Sequence, residues 1–164
     1  ESVETKAAAA KNSKVKKTDD LESYVYRTSK GLLGIAGKCF HGAICEAAKR
    51  VVDPCSPRKS ARDLCKAGIV VLDVVAPFKP EIKNWEYEDK QRVVIQRSAI
   101  TRTRPAMKEG WTITFRVAVN LPEYISPKFL QELMTKAGQF SGLLDYRPTY
   151  GRFVITNFEV IELS

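Results

Sequence analysis

The sequence predicts an α+β fold in which an antiparallel sheet is backed by two helices. Two segments, near residues 38–51 and 126–137, repeat apolar residues at helical spacing, and several short segments show the β-branched bias or the alternation of strands. Glycine and proline separate these segments. The 164 residues, 44% of them apolar, are enough to bury the core of one domain, which we place at residues 21–164.

Residues 1–20 differ in composition from the rest of the chain. They are rich in lysine and alanine and poor in bulky apolar side chains, so we expect a basic flexible arm. Such an arm becomes ordered on a neighbouring copy or on nucleic acid, or it forms a local alanine-rich helical turn. The sequence leaves these alternatives open.

The first strand and the first helix are predicted over residues 21–51. Residues 21–27, LESYVYR, have the aromatic and β-branched bias of a strand. A turn that contains glycines leads into the helix. Glycine has no side chain, so another backbone can come close at these positions. The apolar stripe of this helix consists of Phe40, Ala43, Ile44, Ala47 and Val51.

The next segment, residues 53–68, is interpreted as a connector with a short helix that ends at Gly68. Ser56 is placed to cap this helix, and Pro57 occupies its first position. Residues 69–76, IVVLDVVA, form a continuous apolar run, which predicts a central strand covered on both faces.

The clearest hairpin in the sequence is predicted between residues 92–104 and 111–119. Residues 105–110 supply its loop. The second strand alternates between apolar and polar side chains, so one of its faces packs and the other faces solvent.

The last elements are a second helix, a loop and a strand. Ser126 caps the helix and Pro127 takes its first position. Gly138 and Gly142 end it, a loop covers residues 143–152, and residues 153–163 form a strand with a register break at Asn157. The buried stripe of the helix consists of Phe129, Leu130, Leu133, Met134 and Ala137.

This order of elements predicts the ferredoxin-like topology that RNA-recognition modules share. Those modules stack bases on the aromatic side chains of a K/R-G-F/Y motif, which this sequence lacks. A plain single-strand reader of that kind is therefore disfavoured.

Charge and cysteine usage limit the possible partners. A net charge of +8 favours an anionic partner such as nucleic acid or an anionic surface, against the alternative of an ordinary basic excess. The four cysteines contain no C-x-x-C pair, so we expect buried reduced thiols, no metal and no cofactor. No apolar run approaches the roughly 20 residues of a membrane span. These features predict a protein of the cytoplasm.

Residues 35–44, IAGKCFHGAI, resemble the I-P-G-S-S-x-x-G-A-x-R turn and helix of the repeat-associated mysterious protein (RAMP) superfamily. Its members have modified RNA-recognition folds and form the backbones of CRISPR effector complexes. Gly37, Gly42 and Ala43 match, whereas Ala36 replaces the proline and lysine and cysteine replace the small hydroxyl pair. Residues 138–153 resemble the superfamily's glycine-rich loop. The chain is similar to a compact, free-standing relative, of the kind that phages or mobile elements encode. If a phage encodes it, the expected compartment is the cytoplasm of the host cell.

The resemblance implies that a single strand of RNA or DNA is bound by this turn, by basic side chains on the sheet and by the glycine-rich loop. It also implies a homo-oligomer, with copies arranged head to tail in a filament or ring. Arginine suits phosphate because its guanidinium group binds bidentately. The predicted nucleic-acid-binding residues are Lys38, His41, Arg97, Arg102, Arg104, Arg147, Tyr150 and Arg152. The predicted points of backbone approach are Gly34, Gly37, Gly42, Gly138, Gly142 and Gly151.

Three functions remain open at this stage. The first is a non-catalytic protein that coats a single strand through backbone contacts. The second is a metal-independent endoribonuclease with His41 as general base, assisted by Asp73 or Asp145. The third is a protein-interaction or inhibitor module that joins or blocks CRISPR-type effector assemblies. The sequence offers no convincing set of a general acid, a general base and a group that stabilises the transition state, so we expect no enzyme activity.

Overall fold

The structure, a computed structural model, describes residues 20–162. The predicted basic arm therefore lies outside the described residues, except for its last residue, Asp20. The chain divides into two compact units. The first combines the described residues up to Gly34 with Pro77–Ile113, and the second combines Ile35–Ala76 with the described residues from Thr114 onward.

The described residues form a mixed α+β structure with antiparallel ladders, which confirms the predicted fold class at that level. The helices are α1 (Gly37–Ala48), α2 (Arg62–Gly68) and α3 (Pro127–Lys136), with a 3₁₀ turn at Leu21–Tyr24 and a π-turn at Ala137–Ser141. The first strands are β1 (Tyr26–Arg27), β2 (Leu33–Ala36), β3 (Val52–Asp53), β4 (Ser56–Ser60) and β5 (Ile69–Val71). The later strands are β6 (Val75–Lys79), β7 (Tyr87–Ile95), β8 (Ser98–Ala106), β9 (Thr112–Ile113) and β10 (Val117–Val119).

These strands form several small sheets instead of one. A four-stranded sheet has the order β1-β2-β6-β9, and three separate ladders pair β10 with β5, β3 with β4, and β7 with β8.

Both predicted helices form, and their apolar stripes build the core of the second unit. In α1 the residues Phe40, Ala43, Ile44 and Ala47 are buried, as the helical spacing predicts. In α3 the side chain of Ser126 accepts a hydrogen bond from the Phe129 N–H at 3.2 Å, which confirms the predicted cap. The core cluster consists of Ile44, Ala48, Ala61, Cys65, Ile69, Ile125, Leu130, Leu133 and Met134.

The predicted hairpin between residues 92–104 and 111–119 is wrong. Strand β8 pairs with β7 over its full length, from Ile95↔Ser98 at the turn to Tyr87↔Ala106 at the open end. Gln96 and Arg97 form the two-residue turn, with φ of 48° and 66°. Such turns are usually marked by glycine or asparagine, which are absent here, so the sequence gives no signal for this one.

The predicted strands 69–76 and 111–119 are each interrupted, and the same contact accounts for both breaks. The carboxylate of Asp73 accepts a hydrogen bond from the Arg116 N–H at 2.6 Å and pairs with its guanidinium at 3.0 Å. Because a side chain takes this backbone donor, the β10–β5 ladder does not continue through it. The first strand is not covered on both faces either, since Leu72 and Val74 are exposed.

The predictions of a strand over residues 21–27 and of a helix that begins at Ser56 and Pro57 also fail. Residues 21–24 form a 3₁₀ turn, and only Tyr26–Arg27 pairs as a strand. Ser56 and Pro57 begin strand β4 and not a helix, because β4 pairs with β3 and α2 begins only at Arg62.

The strand predicted over residues 153–163 does not form in its described part, because residues 153–162 belong to no strand and pair with no ladder. Phe153, Ile155 and Phe158 are half-buried, but without a ladder there is no register for Asn157 to break. Val160 is exposed. Apart from the Phe153 N–H, which donates to Gly138 O, this stretch makes no backbone hydrogen bond to another described residue.

Candidate nucleic-acid interface

The second unit concentrates positive charge at the C-terminal end of α1. Lys49 Nζ lies 2.6 Å from the Glu46 carboxylate. The pKa of Glu46 is below its ordinary value, first because of this hydrogen bond and then because of the charges of Lys49, Arg62 and Arg147. Lys49, Arg62 and Arg147 lie just after α1, in α2 and in the loop after the π-turn, and all three act on one ionised carboxylate. Together with Arg50, which follows Lys49, they are here called the basic cluster.

Aromatic rings border the basic cluster. The guanidinium carbon of Arg50 lies 5.5 Å from the centroid of the Phe140 ring, which is 52% exposed. Tyr150 is 47% exposed and packs edge-on against Tyr146 at 6.2 Å between centroids. Exposed rings beside cations are the arrangement with which proteins bind single strands.

The loop that carries Arg147, Tyr150 and Arg152 is held by its own hydrogen bonds. Arg152 Nε donates to Pro148 O at 2.8 Å, and the Tyr150 N–H donates to Tyr146 O at 3.0 Å. Arg147, Tyr150 and Arg152 are all exposed. The loop therefore presents two cations and a ring in one compact segment, as its sequence predicts.

The glycines of this loop were predicted to let a bound strand come close, but other segments of the same chain occupy the space beside them. A Cβ on Gly138 would stand 2.1 Å from Phe153 O, and one on Gly151 would stand 2.0 Å from Leu143 O. Gly142 and Gly151 also have φ of 69° and 75°, which favour glycine. These glycines are required by the approach of two segments of the same chain, and Gly34 is buried within β2.

The first turns of α1 place Lys38 and His41 at the surface of the second unit, with Lys38 exposed and His41 half-buried. The ring nitrogens of His41 lie 3.8 and 3.9 Å from Cys45 Sγ. Burial raises the pKa of the Cys45 thiol, so this neighbour is uncharged at neutral pH.

The four cysteines are free, and their burial differs from the prediction. Cys65 is buried, and this burial raises the pKa of its thiol to about 12. Cys39 and Cys45 are half-buried and Cys55 is exposed, so the expectation of buried thiols holds fully only for Cys65. No group of three or more His, Cys, Asp or Glu side chains in residues 20–162 is arranged to hold a metal.

The three predicted arginines of the hairpin belong to the first unit, and they differ in exposure. Arg97 is exposed in the turn. Arg104 is only 9% exposed; its guanidinium carbon lies 3.8 Å from the centroid of the Tyr24 ring, and its Nη1 donates to Thr103 O. Arg102 lies on the same face as Arg104, and its Nε is buried without a hydrogen-bond partner. Arg102 and Arg104 therefore share one face of the hairpin, and it is the packed face.

Both units carry exposed cations that are not among the predicted nucleic-acid-binding residues. Lys90 and Arg92 lie on the opposite, exposed face of the hairpin, because β7 pairs with β8 in the observed register. Lys49, Arg50 and Arg62 were missed in the second unit. Lys49 and Arg50 directly follow α1, and cations are common at a helix C-terminus because they complement the helix dipole, so their position carried no distinct signal.

Replacing Arg104 by glutamine is expected to lower the free energy of unfolding by about 2 kcal/mol, because a desolvated cation–π contact is lost. Urea denaturation measures this loss. The matched variant Arg92→Gln removes the same charge from the exposed face and is expected to leave the unfolding midpoint unchanged. Equal stability of the two variants would show that burial against Tyr24 contributes nothing.

Comparison with protein-family models, curated proteins and solved structures found no match to this chain. Within the described residues, no helix is both long enough and apolar enough to cross a membrane.

Proposed function

We propose that this protein is a non-catalytic nucleic-acid-binding protein that coats a single strand through its phosphate backbone. The observation that carries the proposal is the basic cluster, in which Lys49, Arg62 and Arg147, from three segments of the second unit, act on the carboxylate of Glu46, and Arg50 follows Lys49. Lysine and arginine side chains gathered in this way bind phosphates and release the counterions condensed on them.

The exposed rings beside the basic cluster favour a single strand over a duplex. Tyr150 and Phe140 are each about half exposed. An unpaired base can stack on such a ring, with a gain of roughly 1–3 kcal/mol per base, whereas the bases of a duplex are already stacked on one another. Stacking of this kind accepts every base, so it supports coating without sequence preference.

Several copies are proposed to assemble along one strand. Residues 154–162 belong to no helix or strand, and their backbone makes no hydrogen bond to another described residue. Val154 and Ile161 are 79% and 76% exposed. Unpaired backbone groups with apolar side chains are a template for a strand from another chain, and a second copy is the partner that coating would bring close.

We also propose that the chain is a compact, divergent relative of the RAMP superfamily with a modified RNA-recognition fold. Strand β2 runs directly into α1 at Gly37, within the segment that resembles the turn and helix of the RAMP superfamily. Within residues 138–153, which resemble the superfamily's glycine-rich loop, Gly138 lies against Phe153 and accepts a hydrogen bond from its N–H. An experimental structure with a bound strand tests this assignment, because the resemblance implies that the strand crosses the turn after the first strand.

Filter binding of labelled oligouridylate and oligothymidylate at several salt concentrations tests the function. If four cations each contact one phosphate, the logarithm of the binding constant is expected to fall with the logarithm of salt at a slope of about −3. A fourfold rise in salt then weakens binding about fifty-fold. Retention of neither strand at low salt, or a slope near zero, would refute the proposal.

The same preparation distinguishes the two other functions. Cleavage of the oligouridylate that is lost in His41→Ala would identify an endoribonuclease and contradict the non-catalytic proposal. Absence of nucleic-acid binding together with a stoichiometric co-purifying protein would identify an interaction or inhibitor module instead.

A further inference from the structure

Glu46 places a negative charge among the cations of the basic cluster. It lies in the last turn of α1, and its side chain is 55% exposed. Its carboxylate lies 2.6 Å from Lys49 Nζ, and the charges of Arg62 and Arg147 act on it from α2 and from the loop after the π-turn. The carboxylate therefore stands where cations from three segments converge, and this is also where the proposed function needs a phosphate.

The ion pair between Glu46 and Lys49 contributes little to the stability of the fold. The two residues are three positions apart, and the side chain of Lys49 is 42% exposed. Water and salt screen such an exposed pair, and two long side chains lose freedom when they form it. The stability of the second unit therefore gives little reason for a carboxylate at this position.

The two guanidinium groups beside Glu46 keep donors available for another anion. Among the described residues, Arg62 forms no hydrogen bond or ion pair, and Arg147 forms only the hydrogen bond from Nη1 to Leu144 O at 3.4 Å. A guanidinium group has five N–H donors and binds the oxygens of a carboxylate or of a phosphate in the same bidentate manner. A phosphate that enters among these cations must separate Glu46 from Lys49 or accept the repulsion of its charge.

We propose that Glu46 is an internal competitor of the bound strand: in the free protein its carboxylate takes the position of a phosphate among Lys49, Arg62 and Arg147, and the strand displaces it. The inference rests on the proposed function, and it adds an acid that sets the affinity of the same site. Because this acid belongs to the chain, it is present at a high effective concentration at all times. A strand offsets the cost of displacing it through its other phosphates and through stacked bases, which an isolated phosphate ion lacks.

The test compares Glu46→Gln with wild type in binding of fluorescein-labelled oligothymidylate at low salt. Glutamine keeps the size of the side chain and removes its charge. We expect the variant to bind about five-fold more tightly, because the strand no longer has to break the pair with Lys49. We expect its melting temperature to stay close to that of wild type, because the pair is exposed. A carboxylate that instead held the cations in place for the strand would give weaker binding in the variant.

Glu132→Gln is the matched control, since it removes the same charge from an exposed position of α3 outside the basic cluster. It is expected to leave the affinity nearly unchanged. A second control introduces Glu46→Gln into a variant that already carries Lys49→Gln, Arg62→Gln and Arg147→Gln. We expect no gain in affinity there, because the cations for which the carboxylate competes are gone.

The possible outcomes separate this inference from the proposed function. If Glu46→Gln binds as wild type does, or more weakly, the inference is overturned while the proposed function stands. Equal gains for Glu46→Gln and Glu132→Gln, or a gain that persists without the three cations, would show an effect of net charge alone and would also overturn it. If wild type itself binds no strand, the proposed function fails and takes the inference with it.

Discussion

Replacing Gly37 by alanine is expected to lower the free energy of unfolding by about 3 kcal/mol or more, or to prevent folding. The added Cβ would stand 2.1 Å from Asp73 O and 3.0 Å from a methyl carbon of Val71. The nearer atom belongs to the backbone, so it cannot move away as a flexible side chain would. The Gly37 N–H also donates to Val74 O at 2.9 Å, which holds the two segments together at this point.

Asp73 is itself fixed, which makes relaxation costly. Its carboxylate binds the backbone and the guanidinium of Arg116, and the two breaks in the neighbouring strands depend on that contact. Urea denaturation followed by circular dichroism measures the effect of Gly37→Ala. The Gly42→Ala variant provides the comparison, because it makes the same chemical change in the same helix, at an exposed position where a Cβ would meet nothing within 4 Å, and is expected to raise stability. An unfolding midpoint for Gly37→Ala equal to that of wild type would show that the contact with Asp73 is not close.

The triple substitution Lys49→Gln, Arg62→Gln and Arg147→Gln is expected to weaken single-strand binding about a hundred-fold at low salt. The reason is the loss of three phosphate contacts, each worth roughly 1 kcal/mol. The slope of the logarithm of the binding constant against the logarithm of salt is expected to become shallower by about 2, since each phosphate contributes roughly 0.7 on a single strand. Filter binding over a range of salt concentrations measures both quantities.

A second triple variant separates the position of these charges from their number. Lys59→Gln, Lys128→Gln and Lys136→Gln remove the same charge from exposed positions of the second unit outside the basic cluster. We expect this variant to keep most of the affinity and nearly the wild-type slope. Equal losses in the two triple variants would mean that net charge alone governs binding, and the basic cluster would lose its role.

The helices illustrate what a sequence makes predictable. The stripe of α3, its serine cap and its proline at the first position were all predicted, because these depend on neighbours within a few residues of each other. The strand predicted over residues 153–163 failed, because the same local pattern does not supply a partner strand. Strand pairing was not predictable, because the partner of a strand is a distant segment. The turn at Gln96–Arg97 is the clearest case, since neither residue is one that usually forms such a turn.

Part of the candidate site could be predicted from the sequence, and part of it could not. The loop with Arg147, Tyr150 and Arg152 could be recognised from sequence because its charge, its ring and its glycine lie within a few residues. The basic cluster could not, because Arg62 and Arg147 approach Glu46 only when α2 and this loop pack beside α1. The face that Arg104 occupies was likewise set by the register between β7 and β8.

By itself, then, the sequence determined the α+β class, the two amphipathic helices with their buried stripes, the cap of α3 and the excess of positive charge, because each of these depends on short-range spacing or on composition. Only the tertiary structure decided which strands pair, which glycines the chain needs for its own packing, and which cations share a surface. Those properties depend on contacts between residues far apart in the chain, and local spacing carries no information about such contacts.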